Sequence, residues 1–344
     1  MLDASSGGQE AGPAEGPELK LKRVRPAEPS EWDRAWTESD TTTFYHSREW
    51  YETFCAYKSE FSTEAWVYEF NDGLQAIFPV VSNKAASAKI SYSSPAGTFG
   101  GWISTQRLGI EHGRLIMADL RRRFPDMTWV VNPYDQVAQE LGANGKSLET
   151  HALRLSESFE EVYSRGSKGH TSAERKARRE GVRSRRAASA SDWQTYFSLY
   201  EDSLRRWGDK TTSKYEWELF ALLAQKQSRN VTLWLAEYQD RIIAGALCFY
   251  SKRHIGYWHG AALDSFFHLR PVHLLIYDII RDACEAGYSW FDFNPSGGHE
   301  GIRQFKEHFG CEVLPCPVLS WESLTTRVKR KLRAMVGGGS NLPP

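Results

Sequence analysis

Towards its C-terminus the chain reads Tyr288-Ser-Trp-Phe-Asp-Phe-Asn-Pro-Ser-Gly-Gly-His-Glu-Gly-Ile-Arg-Gln-Phe-Lys-Glu-His-Phe-Gly310. The aromatic, β-prone run up to Phe293 predicts a buried strand, and Pro295 prevents that strand from continuing. Gly297 and Gly298 suit a sharp reversal, because glycine adopts backbone angles that other residues avoid. The stretch therefore predicts a strand and a tight turn, with a short helix after them.

The predicted helix carries both apolar and basic residues. Ile302, Phe305 and Phe309 are spaced i, i+3 and i+7, which predicts one apolar stripe facing the core. We therefore expect Arg303 and Lys306 to lie off that stripe, close to the end of the strand.

Asp292 and Asn294 end the predicted strand, so two cations beside them form a candidate site. The alternative is purely structural: Asp292 caps the turn, and Lys306 is a solvated lysine on a surface helix. The residues of this stretch, taken alone, favour the structural alternative.

The composition indicates a folded protein of the cytoplasm. The chain has 344 residues, 13% aromatic residues, 13 tryptophans and a net charge of zero, so any basic patch is local. Its five cysteines are odd in number and form no Cys-x-x-Cys pair, which disfavours a disulfide framework or a zinc site. Residues 1–18 are predicted to be a disordered tail without the apolar core of a signal peptide. No apolar run approaches the roughly 18 residues of a membrane span.

The predicted elements occur twice in nearly the same order. Each half contains a strand, two helices, a meander of strands, and then alternating helices and strands. This order indicates an α/β (α+β) fold of two domains, at 19–155 and 156–320, each a mixed sheet flanked by helices. A ligand is expected in the cleft between them.

Two basic segments flank the second half. Residues 165–186, interpreted as a basic hinge helix, hold nine lysines and arginines against two glutamates, which would attract phosphates. A solvated linker helix explains the same residues equally well. The tail 321–344 contains a cluster at 327–333 that would contact an anionic membrane or RNA, unless it is simply frayed.

Several common catalytic motifs are missing from the sequence. It contains neither a phosphate-binding Gly-x-x-x-x-Gly-Lys-Ser/Thr loop nor a Gly-x-Gly-x-x-Gly loop, and neither a His-Glu-x-x-His helix nor a Gly-x-Ser-x-Gly elbow. His259, next to Trp258 in a predicted strand, is a candidate ligand or base, although a buried structural histidine is the simpler interpretation. No metal site is predicted.

The second half resembles the acyltransferase domain of FemAB-like and CelD-like proteins, a branch of the GNAT superfamily. Three segments carry the resemblance: the basic run 168–182, the helix entry 269–275, and the strand and helix at 291–296 and 302–310. The loop at 91–97 with Gly100 and Gly101 is similar to the family's Gly-rich loop, more weakly.

The resemblance implies two tandem GNAT-like domains that transfer an acyl or aminoacyl group to an amine of a cell-envelope or polysaccharide precursor. The implied co-substrate is aminoacyl-tRNA or acyl-CoA, with no bound cofactor, and the acceptor includes nucleotide-linked amines. One alternative is an acyl-CoA-dependent N-acetyltransferase of exopolysaccharide or small-molecule biosynthesis. A non-enzymatic alternative is an RNA- or glycan-binding module.

The family's Phe-Lys pair matches Phe305 and Lys306, which are therefore candidate catalytic residues. We expect the Lys306 ammonium at the oxyanion or at the donor's phosphate, and Asp292 orienting it or relaying a proton. The segment 266–273 lacks the glycines with which ordinary GNAT enzymes bind pyrophosphate, which disfavours acetyl-CoA. The candidate substrate-binding residues are Lys168, Arg175 and Arg270 for phosphates, together with Arg303, Asn294, Ser296, Tyr92, Gly100, Gly101, Trp258 and His259.

Overall fold

The computed structural model describes residues 18–84, 89–143, 145–208 and 214–328. Within these ranges the fold is α/β, with a single mixed sheet of twelve strands flanked by helices. Most of the tail predicted at 1–18, and most of the basic cluster predicted at 327–333, lie outside the described residues. No helix of the described ranges is long and apolar enough to cross a membrane.

The first half of the chain supplies six strands and four α-helices. They are β1 (Leu21–Pro26), α1 (Pro29–Glu38), α2 (Arg48–Tyr57), β2 (Phe61–Phe70), β3 (Gln75–Asn83), β4 (Ile90–Tyr92), α3 (Ile110–Arg123), β5 (Met127–Val130), α4 (Gln136–Gly142) and β6 (Lys146–Arg154).

The second half repeats this series after two additional helices. Its elements are α5 (Phe159–Ser164), α6 (Lys168–Arg179), β7 (Arg183–Arg186), α7 (Ala190–Trp207), α8 (Trp217–Lys226), β8 (Val231–Tyr238), β9 (Arg241–Tyr250), β10 (His254–Ala262), α9 (Pro271–Glu285), β11 (Trp290–Asp292), α10 (Glu300–Glu307) and β12 (Glu312–Trp321).

The strand order shows that the two halves are related by an approximate twofold arrangement. The order is β1-β2-β3-β4-β5-β12-β6-β11-β10-β9-β8-β7, so each half contributes one edge of the sheet. In both halves the fourth and fifth strands pair in parallel, β4 with β5 and β10 with β11. The fold is therefore built from two halves of matching topology, as the repeated order of elements in the sequence predicted.

The final strand of each half is exchanged with the other half. β6 pairs with β11 of the second half, while β12 pairs with β5 of the first half, and the two exchanged strands pair with each other. The division placed at residue 155 falls in the loop after β6 and stays a prediction. The exchange makes one continuous sheet out of the two halves.

The basic stretch 165–186 is not one hinge helix. Helix α6 ends at Arg179, Gly181 has a φ of 88°, and 183–186 form the edge strand β7, paired with β8. Acidic residues outside the strand pair with two of its arginines: Arg185 with Asp192 and Glu237, and Arg186 with Asp282.

Two other boundaries differ from the prediction. The sequence pattern predicts a helix from Thr105 to Phe124, whereas helix α3 spans Ile110–Arg123. Asp192 precedes an amphipathic run and is the N-cap that the sequence predicts for helix α7. The cap is instead Ser189, whose hydroxyl accepts a hydrogen bond from the Asp192 amide, and Asp192 lies in the first turn. The carboxylate of Asp192 is instead used by Arg185 and by two preceding backbone amides.

Candidate active site

A cavity of about 610 Å³ lies between the two halves. This volume is typical of a small-molecule site. The second half provides most of the wall, and the first half contributes β6 and the loop after β4. Its lining residues are Ala96, Gly97, Thr98, Phe99, Leu148, Trp207, Tyr215, Tyr257, Trp258, His259, Gly260, Phe293, Asn294, Pro295, Ser296, Gly297, His299, Gly301, Ile302 and Lys306.

The cavity opens where β10 and β11 separate. The two strands pair in parallel only from His254 to Gly256 on β10 and from Trp290 to Asp292 on β11. Beyond that point β10 has a bulge at Trp258, seen as a register shift against β9. Because a bulge bends its strand and increases the local twist, β10 diverges from the chain that follows β11. The gap exposes side chains from both strand ends to the cavity.

Lys306 is the one residue of α10 that is buried, with 5% of its surface exposed, and it lines the cavity. Ile302, one turn earlier, also lines the cavity and is 45% exposed. The apolar stripe predicted through Ile302, Phe305 and Phe309 is therefore wrong at Ile302, and Lys306 does not lie off the buried face. Residues four apart share a helix face, so Ile302 and Lys306 face the cavity together.

Asn294 holds Lys306 in place and connects it to both halves. The Lys306 ammonium donates a hydrogen bond of 2.6 Å to the Asn294 carbonyl oxygen. The Asn294 side-chain amide donates to the carbonyl of Tyr257 at 2.8 Å, and its oxygen accepts from the Tyr45 hydroxyl at 3.1 Å. Asn294 has a φ of 60°, a conformation that asparagine tolerates better than most residues.

Asp292 is fully buried below Asn294 and is surrounded by donors. Its carboxylate accepts hydrogen bonds from the Thr150 hydroxyl, from the Tyr134 hydroxyl at 2.7 Å and from the Asn294 backbone amide at 2.7 Å. The His254 Nε2 lies 3.5 Å away. Burial by itself would raise the pKa of Asp292, but the histidine and the two hydroxyls hold it below its usual value. Asp292 is thus an anion within the fold.

The buried position of Lys306 lowers its pKa to about 8, because removing the ammonium from water disfavours its charge. The negative charge of Asp292 opposes that shift. Asp292 makes no hydrogen bond to Lys306; the two are connected through Asn294, whose amide donates to one and whose carbonyl accepts from the other. The predicted orientation of Lys306 by Asp292 is therefore indirect in this geometry.

His259 and Trp258 line the cavity opposite α10. The His259 Nδ1 and the Tyr196 hydroxyl are 2.7 Å apart, and burial lowers the pKa of His259 to about 4, so its ring is neutral near pH 7. Ser296 also lines the cavity, and its buried hydroxyl has no hydrogen-bond partner among the residues that the structure describes. Buried hydroxyls are normally satisfied, so Ser296 is available to a ligand.

Phe305 and Arg303 do not face the cavity. The Phe305 ring packs against the rings of His170 and His273, at 5.1 and 5.4 Å. Arg303 is exposed, and it pairs with Glu300 and Glu307 on its own helix. Neither residue belongs to the described lining of the cavity. Of the predicted catalytic pair Phe305 and Lys306, only Lys306 reaches the cavity.

The predicted phosphate-binding residues lie outside the cavity, at two adjacent helix starts. Lys168 is exposed in the first turn of α6, and Arg270 is exposed immediately before α9. These first turns meet through His170 and His273, whose rings are 4.6 Å apart. Arg175 is exposed about two turns further along α6 than Lys168.

Three predicted substrate-binding residues of the first half do not line the cavity: Tyr92, Gly100 and Gly101. Their contacts lie within the first half. Tyr92 packs against Phe61, with ring centroids 6.5 Å apart. A Cβ atom on Gly100 would lie 2.0 Å from the carbonyl oxygen of Ser93, which explains the glycine by backbone packing. The Gly-rich loop still reaches the cavity, but through residues 96–99, which precede these glycines.

The first half also contributes residues beneath the cavity that were not predicted from the sequence. Tyr45, Tyr134 and Thr150 donate to Asn294 or Asp292 across separations of 249, 158 and 142 residues. Nothing in their local sequence marks them. Only the pairing of β6 with β11 brings Thr150 next to Asp292.

Comparisons with known proteins agree with this geometry. Residues 164–307 match the model of the acetyltransferase (GNAT) domain family. No curated protein matches the sequence. Among solved structures, the chain is similar to FemX, with a TM-score of 0.70 and 13% identity over 91% of this chain and 99% of that one.

Two further solved structures share the fold at lower similarity. One is a C-terminal domain from Agrobacterium fabrum assigned as part of a lysylphosphatidylglycerol synthetase, with a TM-score of 0.53 and 11% identity over 90% of this chain and 97% of that one. The other is L-PGS from Bacillus licheniformis, with a TM-score of 0.53 and 12% identity over 89% and 96%. Residues 164–307 are therefore similar to the acetyltransferase (GNAT) domain family, and the chain as a whole shares its fold with FemX.

Proposed function

We propose that this protein transfers an acyl or aminoacyl group to an amine inside the cavity between its two halves. The observation that carries the proposal is the position of Lys306. It is buried, it is held by the Asn294 carbonyl, and it is the one lysine or arginine in the described lining. Among the described residues no carboxylate lines the cavity. The part of a ligand that contacts Lys306 should therefore be a carbonyl or an anion rather than a cation.

Acyl transfer to an amine requires stabilisation of negative charge. The amine nitrogen attacks the carbonyl carbon, a C–N bond forms, and an electron pair moves to the carbonyl oxygen. The tetrahedral intermediate then expels the donor's hydroxyl or thiol as the nitrogen loses its proton. An ammonium has three N–H donors, and the Asn294 carbonyl uses one of them in the resting site. Lys306 therefore has donors left for the oxyanion.

The donor's phosphates are assigned in this proposal to the paired starts of α6 and α9. Helix N-termini favour anions because the helix dipole is positive there. Lys168 and Arg270 add charge at these two starts, and Arg175 extends it along α6. Within the described residues none of the three is engaged in an ion pair, which leaves their charge available to a phosphate.

The helix start at α9 supports aminoacyl-tRNA as the first choice of donor over acetyl-CoA. Pro271 has no N–H group, and the His273 amide donates to the Arg270 carbonyl at 3.2 Å. Few backbone amides remain to surround a pyrophosphate, as the absence of glycine in 266–273 implied. An acyl-CoA-dependent N-acetyltransferase stays the alternative, and the acceptor is proposed to be an amine of a cell-envelope or polysaccharide precursor.

The test is donor-dependent turnover of the purified protein with a panel of amines, using labelled acyl-CoA and charged tRNA in parallel. Lys306→Met should lower the rate by about 10²–10³, the typical effect of losing one oxyanion donor. The matched control is Lys226→Met, an exposed lysine in the last turn of α8, which should leave the rate unchanged.

Wild-type activity in the Lys306→Met variant would contradict the role of Lys306. Binding of tRNA or an anionic glycan without transfer from any donor would instead identify the protein as a binding module.

A further inference from the structure

Three of the large apolar side chains that stay exposed surround the mouth of the cavity. Leu148 is 43% exposed, Trp207 is 39% exposed and Ile302 is 45% exposed, and all three line the cavity. Single exposed apolar residues are ordinary on protein surfaces, whereas several on one concave surface indicate a binding site. They come from three separate elements, β6, α7 and α10, so no single amphipathic pattern explains them.

The inner wall behind this rim is also mainly apolar. Phe99, Tyr257, Trp258 and Phe293 supply aromatic surface, and Lys306 is the one lysine or arginine of the described lining. A phosphate or a sugar diphosphate at the rim would meet Leu148, Trp207 and Ile302, with no cationic partner among the described lining residues. Burying an unpaired charge against such side chains is unfavourable.

Ile302 and Lys306 show which end of the cavity is polar and which is apolar. They lie on one face of α10, four residues and roughly 6 Å apart along the helix axis. The ammonium is at the buried end and the isoleucine at the open end. A ligand whose reacting carbonyl contacts Lys306 therefore continues outward along Ile302.

We propose that the substrate reacting at Lys306 carries an aliphatic hydrocarbon chain, which runs from the reacting centre along Ile302 to Leu148 and Trp207. This inference rests on the proposed function, because it takes Lys306 as the reacting end. The chain belongs either to the acyl group of the donor or to the amine acceptor. The chemistry recognised is the same in both cases.

Binding of fatty carboxylates tests the inference without requiring turnover. The probes are saturated carboxylates from butanoate to dodecanoate, below their micelle concentrations, titrated by calorimetry and by tryptophan fluorescence. The carboxylate supplies an anion for Lys306. The dissociation constant should fall about fourfold for each CH₂ group until the cavity is full, since each buried CH₂ contributes about 0.8 kcal/mol.

The chain offers a matched pair of variants for this titration. Ile302→Ser should weaken dodecanoate binding about tenfold and leave butanoate binding nearly unchanged. Val313→Ser is the control, because Val313 is also a β-branched apolar residue, 46% exposed, and it does not line the cavity. A dissociation constant independent of chain length, or equal effects of the two substitutions, would overturn the inference.

Turnover experiments distinguish the two sources of the chain. A donor series from acetyl to dodecanoyl with one amine, and an alkylamine series with one donor, should show one series whose kcat/KM rises with length. If neither series turns over while the carboxylates bind with the expected slope, the proposed transfer fails and the hydrocarbon site stands. If transfer occurs, but neither kcat/KM in the two series nor the dissociation constant of the carboxylates depends on chain length, the hydrocarbon site is refuted and the proposed transfer stands.

Discussion

The ammonium of Lys306 and the backbone carbonyl of Asn294, 2.6 Å apart, join helix α10 to the end of strand β11. The same Asn294 peptide segment donates its amide to Asp292, so an anion and a cation are held on opposite sides of one residue. This arrangement keeps Lys306 directed into the cavity. In this position the pKa of Lys306 is lowered by burial and raised by the negative charge of Asp292.

The rate of transfer should decline as the pH rises through about 8. The pKa of Lys306 is lowered to about 8, so the ammonium that we propose as the oxyanion donor loses its proton in that range. In Lys306→Arg the guanidinium stays charged, and any residual activity should lack this alkaline decline. The measurement is kcat/KM against pH, with uncatalysed breakdown of the donor subtracted at each pH. An undiminished wild-type rate well above pH 8 would refute the assignment.

Lys306→Met should be at least as stable as the wild type near neutral pH. The pKa of Lys306 is lower in the folded protein than its unfolded value of 10.5, so the unfolded chain binds more protons between about pH 8 and 10.5. Wild-type stability relative to the variant should therefore rise across that range and stay flat below it. Thermal unfolding of both proteins across the pH series checks the sign. A wild type that is more stable at neutral pH and loses its advantage above pH 8 would contradict it.

Tyr134→Phe should weaken both stability and transfer, because Tyr134 positions Asp292 from the other half of the chain. Losing a hydrogen bond to a charged group costs about 1.5–3 kcal/mol. The pKa of Asp292 is held low in the fold, so its contribution is present at neutral pH and is lost as the pH falls through that value. The variant's acid unfolding should begin at a higher pH than that of the wild type.

The control for Tyr134 is Tyr163→Phe, which removes a 3.0 Å hydrogen bond to the buried carboxylate of Glu174, on α6. It should destabilise the fold comparably and leave the pH dependence of transfer unchanged. If the two variants alter the pH–rate profile equally, Tyr134 has only a structural role.

Gly100→Ala should destabilise the protein by at least about 1–3 kcal/mol, because the new methyl group would lie 2.0 Å from the Ser93 carbonyl oxygen. Gly301→Ala, at the cavity in α10, meets no atom within 4 Å and should stabilise the helix slightly. Chemical denaturation measures both changes. If Gly100→Ala leaves the free energy of unfolding unchanged, the loop after β4 can move to accommodate the methyl group. Backbone packing would then not explain this glycine, and a role in ligand binding would have to be considered again.

The sequence predicted those parts of the fold that depend on local patterns. Gln239 and Asp240 separate two apolar runs, a pattern that predicts a hairpin turn, and both residues have the positive φ angles that a tight hairpin requires. Pro271 before an apolar stripe and Gly287 after it likewise predict a helix, and α9 spans Pro271–Glu285. In each case a few neighbouring residues determine the backbone conformation.

The site was predicted only in part, because its geometry depends on contacts distant in sequence. Amphipathic spacing assigned Ile302 to the core and Lys306 to solvent, but the surface that α10 faces is a cavity, so the exposed and buried positions are reversed. The strand β7 was missed because its arginines look solvated until Asp192 and Glu237 are placed beside Arg185. No local pattern connects Tyr134 to Asp292.

The exchanged strand β12 has a consequence for biosynthesis. Its residues 312–321 leave the ribosome after every other strand of the sheet, yet they pair directly with β5 of the first half. The nascent first half therefore keeps an open strand edge at β5 until residues 312–321 have been translated. A chain that ends at a premature stop codon before residue 312 would lack β12, which pairs with both β5 and β6. Both halves would then have an unpaired strand edge that chaperones and proteases can recognise.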